Sequence, residues 1–133
     1  MSGEIDLNKL LRTLEASLQD GVYVFATVAD DGVPAGVSPR MTFREAEGTT
    51  LILLRDEAEA AGLAFEFPCR MITLDVHSAL EAVGFIARIA GELAKQGMGV
   101  NPVAGFYHDH LFVPVGREQD ALRVLEQIAT DAR

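Results

Sequence analysis

The chain holds a single cysteine, Cys69, so no intrachain disulfide can form and a disulfide-stapled extracellular scaffold is excluded. Basic residues are also scarce, with 11 Lys and Arg against 20 Asp and Glu and a formal net charge of −9. No run of Lys and Arg occurs to displace counterions from a phosphate backbone, so no nucleic-acid partner is expected. Long apolar runs are missing as well. The most apolar helical stretch is broken by Arg88 and Glu92, well short of the roughly 20 residues that span a bilayer, so no membrane partner is expected. The opening MSGEIDLNKLL is acidic and polar, unlike the basic head and apolar body of a signal peptide. A cytoplasmic protein is the expectation.

Catalytic signatures are equally thin. No G-x-S-x-G elbow and no glycine-rich phosphate loop appears. The carboxylate pairs Asp30–Asp31 and Glu57/Glu59 fall in a turn and on a solvated helix face. Cys69 stands beside Arg70, which could lower its pKa, but a thiol inside a strand is more often buried and inert. No enzyme and no cofactor are expected.

What is present is enough apolar material for a core: 49% hydrophobic residues in 133, with a mean hydropathy of +0.18. That balance suggests a well-covered sheet and an apolar surface used by a second subunit, most simply in a homodimer. Leu7, Leu10, Leu11, Leu14 and Leu18 form a helical stripe after a capping Asp6, with Gly21 as its stop. VYVFATV (22–28) reads as a buried strand and Asp31-Gly32 as a turn. Met41–Glu45 and Thr49–Leu54, joined at Glu47-Gly48, read as a hairpin. Asp56 and Glu59 are spaced to cap a short helix ending near Gly62. CRMITLDV (69–76) is a strong strand. Ser78 and Glu81 form an S-x-x-E capping box before a helix expected over 79–96. Strands follow at 98–106 and 111–115, then a helix from Arg117 with Ala121, Val124, Leu125 and Ile128 on one face. Adjacent strands outnumber helices, which favours an α+β antiparallel sheet with helices on one face over a doubly wound parallel sheet.

The segments ITLDV, the Ser78 cap, ALEAVGFIARIAGELAKQG, MGVNPVAG and HDHLFVPV together resemble an ACT domain. The earlier GVYVFATV and MTFREAEGTTLILL look like a partner half of the same kind. The resemblance implies a ferredoxin-like (ACT-type) fold with two halves in tandem, an incomplete one over 1–64 and a second over 65–133. It implies a non-catalytic regulatory protein that takes a small-molecule ligand, an amino acid by preference. It carries an effector site onto Asp75, His77, Ser78 and Leu80 on one side and Gly99, Val100 and Asn101 on the other. Two departures stand out: no strand follows the last helix, and none precedes the first.

The residues themselves offer related readings. The strand-to-helix turn at Asp75–Ser78 leaves backbone amides bare beside a helix dipole, an arrangement suited to a carboxylate, while Asp75 could meet an ammonium. Gly84 would leave room for a ligand beside Val83, although glycines in a helix more often serve close packing. His108 and His110 share a strand face and could contact a ligand or a subunit. With His77 as a third donor they could hold a metal, but no spacing fixes His77 nearby. Two other functions remain open: a structural oligomer without ligand, and a His-dependent metal-binding enzyme.

Overall fold

The computed structural model describes residues 2–30 and 32–133, so the Asp31-Gly32 turn and the Asp30–Asp31 pair lie partly outside the described residues. The chain forms two compact units. One joins the residues up to Asp20 with Arg70–Arg133, and the other is Gly21–Cys69.

The first unit opens with helix α1 (Leu7–Arg12), capped by Asp6, whose carboxylate accepts the Lys9 amide at 3.3 Å. The leucine stripe predicts a helix through Leu18, but α1 ends at Arg12 and strand β1 follows (Ala16–Leu18). Leu18 fits both periods: it is four residues after Leu14 and two after Ala16. Pairing decides between them. β1 runs antiparallel to the end of β5 (Glu66–Leu74), with Ala16 opposite Leu74 and Leu18 opposite Ile72. This unit continues with α3 (Phe85–Ala94), β6 (Asn101–Ala104), β7 (Asp109–Pro114) and α4 (Glu118–Ala132), and its strands lie in the order β1-β5-β7-β6. The missing fourth strand of the second half is thus filled by residues 16–18.

Alternate residues of these strands, Ile72 and Leu74 with Leu111 and Val113, bury against Leu10, Leu11 and Leu14 of the opening segment, Phe85, Ile89 and Leu93 of α3, and Leu125 and Ile128 of α4. The i, i+4, i+8 spacing of Phe85, Ile89 and Leu93 keeps all three on one helix face. The helix expected over 79–96 starts only at Phe85, and Gly84 at φ 92° is its N-cap. A left-handed residue cannot continue an α-helix, so residues 79–84 form a turn instead. Ser78 and Glu81 therefore cap nothing.

In the second unit, β2 (Tyr23–Val28), β3 (Met41–Glu45) and β4 (Gly48–Leu54) form an antiparallel sheet ordered β3-β4-β2-β5. The hairpin is in register from Met41 opposite Ile52 to Glu45 opposite Gly48. Gly48 is required there, because a Cβ would sit 2.6 Å from the Val28 carbonyl oxygen. β2 meets β5 through Tyr23 opposite Cys69 and Phe25 opposite Glu66, with a register shift between them. Two steps on β2 match three on β5, a bulge that holds Phe67 at φ 59°. Helix α2 (Arg55–Ala60) follows β4 with Leu54 as its uncapped N-terminus. Asp56 and Glu59 do not form the expected cap; Glu59 pairs with Arg55 at 3.6 Å. Val24, Ala26, Leu51, Leu53 and Ala58 form the core.

The ladders described are antiparallel, as expected for an α+β fold. Among the described residues, no helix is long and apolar enough to cross a membrane.

Candidate functional site

The period-two alternation of HDHLFV places Asp109 on the same strand face as Leu111 and Val113, the face covered by helices. A carboxylate on that face is unusual and needs partners. Asp109 is 7% exposed, and its Oδ2 accepts the Ser78 hydroxyl at 3.0 Å. Opposite it in the β6–β7 ladder stands Ala104.

Asp109, Ala104 and Gly105 form one wall of a cavity of about 190 Å³, and Ser78, Leu80 and Ala82 of the turn form another. The first turn of α3, Gly84–Ala87, closes it. No side chain caps that helix, so the amides of Phe85, Ile86 and Ala87 have no intrahelical acceptor and carry the positive end of the dipole. Asp109 is the one charged side chain among the lining residues. The cavity thus combines a buried anion, a row of amide donors and apolar walls.

Three residues singled out from the sequence, Ser78, Leu80 and Gly84, line this cavity. The others lie elsewhere. Asp75 accepts the Ser17 hydroxyl and shares a separate surface hollow with His77 and Glu4. His77 pairs through Nε2 with Ser2 Oγ at 3.2 Å and rests its ring 5.3 Å from that of Tyr107. Val83 is 83% exposed. Val100 packs on the core, whereas Asn101 stands opposite Phe112 on the sheet face turned away from the helices. Gly99 precedes that strand and does not reach the cavity. His110 is on the far face too, its Nδ1 3.0 Å from Thr73 Oγ1, which also accepts Gln19 Nε2 at 3.1 Å. The ring of His108 is 6.5 Å from that of His110.

Of the bare amides expected at Asp75–Ser78, that of Asp75 donates to the Glu15 carbonyl oxygen at 2.7 Å, and those at the end of the turn are also taken within the chain. The Ser78 amide donates to Val76 and the Ala79 amide to Glu4, at 3.1 and 2.8 Å. The open helix end lies six residues further on. Among the described residues, no three His, Cys, Asp or Glu side chains gather as metal ligands. The Cys69 thiol is fully buried, donates to the Tyr23 carbonyl oxygen at 3.3 Å, and is pushed up to about 12 by desolvation. It is not a nucleophile near neutral pH.

An ACT domain model matches residues 2–70, more than half of the chain, and a second ACT domain model matches residues 66–127. The chain belongs to the ACT domain family. Its halves are in tandem, each carrying one of the two matches. The ACT chain is also similar to a solved Vibrio cholerae protein of unknown function, described as a possible transport protein. The two share 43% identity over 92% of this chain and 95% of that one, with a TM-score of 0.83. An Agrobacterium tumefaciens protein is similar at 17% identity and a TM-score of 0.74, over 87% of this chain and 89% of that one. The ligand-free regulatory subunit of aspartate kinase from Thermus thermophilus is similar at 12% identity and a TM-score of 0.63, over 85% and 95% of the two chains. At such identities the last two likenesses concern the fold alone. No curated protein matches the sequence.

Proposed function

We propose that this ACT protein is a non-catalytic regulatory sensor that binds a small α-amino acid in the Asp109 cavity. The observation that carries the reading is the pairing, in one cavity, of the buried Asp109 carboxylate with the uncapped amides of α3. A zwitterion satisfies both: its ammonium neutralises a carboxylate that has no cationic neighbour in the lining, and its carboxylate accepts the amides. A hollow of about 190 Å³, partly open to solvent, has room for a compact amino acid. Leu80, Ala82, Phe85, Ile86 and Ala104 favour a small or aliphatic side chain over a charged one.

In this reading the two halves divide near residue 65, as 1–64 and 65–133, and the protein works in the cytoplasm as a homodimer. The exposed Leu80 and Val83 of the turn, with Phe106 and Tyr107 beyond β6, supply uncharged surface for a second copy. Ligand binding would then bias the assembly by differential affinity for its states.

Calorimetric titration with L-alanine, L-serine and L-valine tests the proposal, alongside propionate and isobutyrate, which lack the amino group. At least one amino acid binds, the deaminated acids do not, and Asp109→Asn weakens binding tenfold or more. Silence from all three at millimolar concentration would sink the reading, as would full binding by the Asn variant.

A further inference from the structure

Three residues of the opening segment lie against the turn that walls the cavity. The Glu4 amide donates to the His77 carbonyl oxygen at 2.8 Å, and the Ala79 amide donates to the Glu4 carbonyl oxygen at 2.8 Å, forming a parallel bridge between Glu4 and Ser78. Gly3 makes the approach close enough. It sits at φ +95°, and a Cβ there would come within 2.7 Å of the Ala79 nitrogen and 2.9 Å of the Ser78 carbonyl carbon, both backbone atoms that cannot swing aside. Ser2 adds its contact to His77, and Lys9 Nζ holds Glu4 Oε1 at 3.3 Å.

Ser78 has a place in both structures. Its backbone is bridged by Glu4, and its hydroxyl is a donor to the buried carboxylate in the cavity. If the opening segment lifts, the Ser78 backbone loses one flank of support, and the hydroxyl that orients Asp109 loses its fixed position. The tether is weak enough to lift. Two backbone hydrogen bonds, the exposed Ser2–His77 contact and a largely solvated ion pair hold it, with Gly3 and Ile5 exposed, which places it at the low-stability end of local opening.

We infer that residues 2–5 act as a regulatory strap, whose docking on His77–Ala79 holds the cavity in its binding form. The inference rests on the amino-acid reading of that cavity and adds to it a control element outside the ligand's reach. Strap docking and ligand binding then share a coupling free energy, which is reciprocal by linkage: anything that lifts the strap weakens the ligand, and the ligand seats the strap. A modification or partner that captures the opening residues would release the ligand without touching the cavity.

The test uses the whole chain, with L-alanine, L-serine and L-valine as probes. In the wild type, saturating amino acid slows hydrogen exchange at the Glu4 and Ala79 amides. Gly3→Val, which cannot dock, speeds exchange at Ala79 and weakens amino-acid binding about tenfold. Glu4→Pro, which removes the donor to His77 without adding bulk at Ala79, has the same effect on binding. In a Ser78→Ala background the Gly3→Val change no longer alters affinity, because the link to Asp109 is already cut. Unchanged affinity in both strap variants despite a freed Ala79 amide overturns the strap and leaves the binding reading standing. So does wild-type exchange at Glu4 and Ala79 that ignores the ligand. Failure of the wild type to bind any of the three overturns both.

Discussion

Removing the Ser78 hydroxyl isolates the buried carboxylate more cleanly than any change at Asp109 itself. Asp109 is 7% exposed, takes part in none of the ion pairs among the described residues, and accepts the Ser78 hydroxyl at 3.0 Å. A hydrogen bond to an ionised group contributes about 1.5–3 kcal/mol, and a buried charge stripped of its donor keeps its full desolvation cost. Ser78→Ala is therefore expected to destabilise by about 2 kcal/mol. Asp109→Asn keeps the shape and an acceptor for Ser78 while discarding the charge, so it should cost less, within about 1 kcal/mol of the wild type. The double variant closes a cycle with a coupling of about 1 kcal/mol or more. Urea denaturation at fixed pH, comparing midpoints at constant slope, measures all four proteins. A neutral Ser78→Ala, or an Asn variant less stable than the Ala one, would refute the idea that this hydroxyl supports a buried anion.

Two further outcomes test the core and the thiol. Ile89→Ala, at a fully buried position in the same core cluster as Leu74 and Leu111, is expected to cost about 2–5 kcal/mol in urea denaturation; a loss under 1 kcal/mol would mean that α3 does not seal the sheet. Cys69 has its thiol raised from 9.0 to about 12 by burial, so the folded state keeps a proton that the unfolded chain releases from pH 9 upward. Stability is unaffected by this group below pH 9 and falls between pH 9 and 12, at about 1.4 kcal/mol per pH unit. Cys69→Ala should lack that alkaline slope, and parallel wild-type and variant curves above pH 9 would show that the thiol is not desolvated.

Much of the fold can be read from the chain because local and tertiary preferences agree. Glu47-Gly48 between alternating strands specifies a hairpin whether or not it is packed, and it is found in register. The α4 stripe behaves the same way, with Ala121, Leu125 and Ile128 buried as its period demands. Where preferences conflict, tertiary contacts decide. Ser78 and Glu81 carry a good capping signal, but Asp109 takes the hydroxyl and Glu4 takes the Ala79 amide, so the helix waits for Gly84. The site was hidden for a related reason. HDHLFVPV draws the eye to its two histidines, whereas strand parity puts His110 on the far face and turns Asp109 toward the helices. A carboxylate in phase with Leu111 and Val113 was the available signal. Nothing local announces β1, whose three residues become a strand only because the edge of β5 is there to pair with them.

That last dependence has a consequence for how the tandem can be divided. In sequence the two family matches run from 2 to 70 and from 66 to 127, overlapping at 66–70, but the first compact unit gathers residues up to Asp20 with Arg70–Arg133. A chain cut to residues 65–133 would lack β1, leaving the Ile72–Leu74 edge unpaired, and would lack Leu10, Leu11 and Leu14, leaving their counterparts on α3 and α4 uncovered. Each leucine contributes about 1.5–3 kcal/mol by burial. Losing three of them removes roughly 5–9 kcal/mol, comparable to the whole stability of an ordinary domain. The 65–133 fragment should therefore be largely unfolded by circular dichroism, and adding a peptide of residues 2–20 in excess should restore structure. A fragment that folds cooperatively by itself would mean that the opening twenty residues decorate the second half instead of completing it.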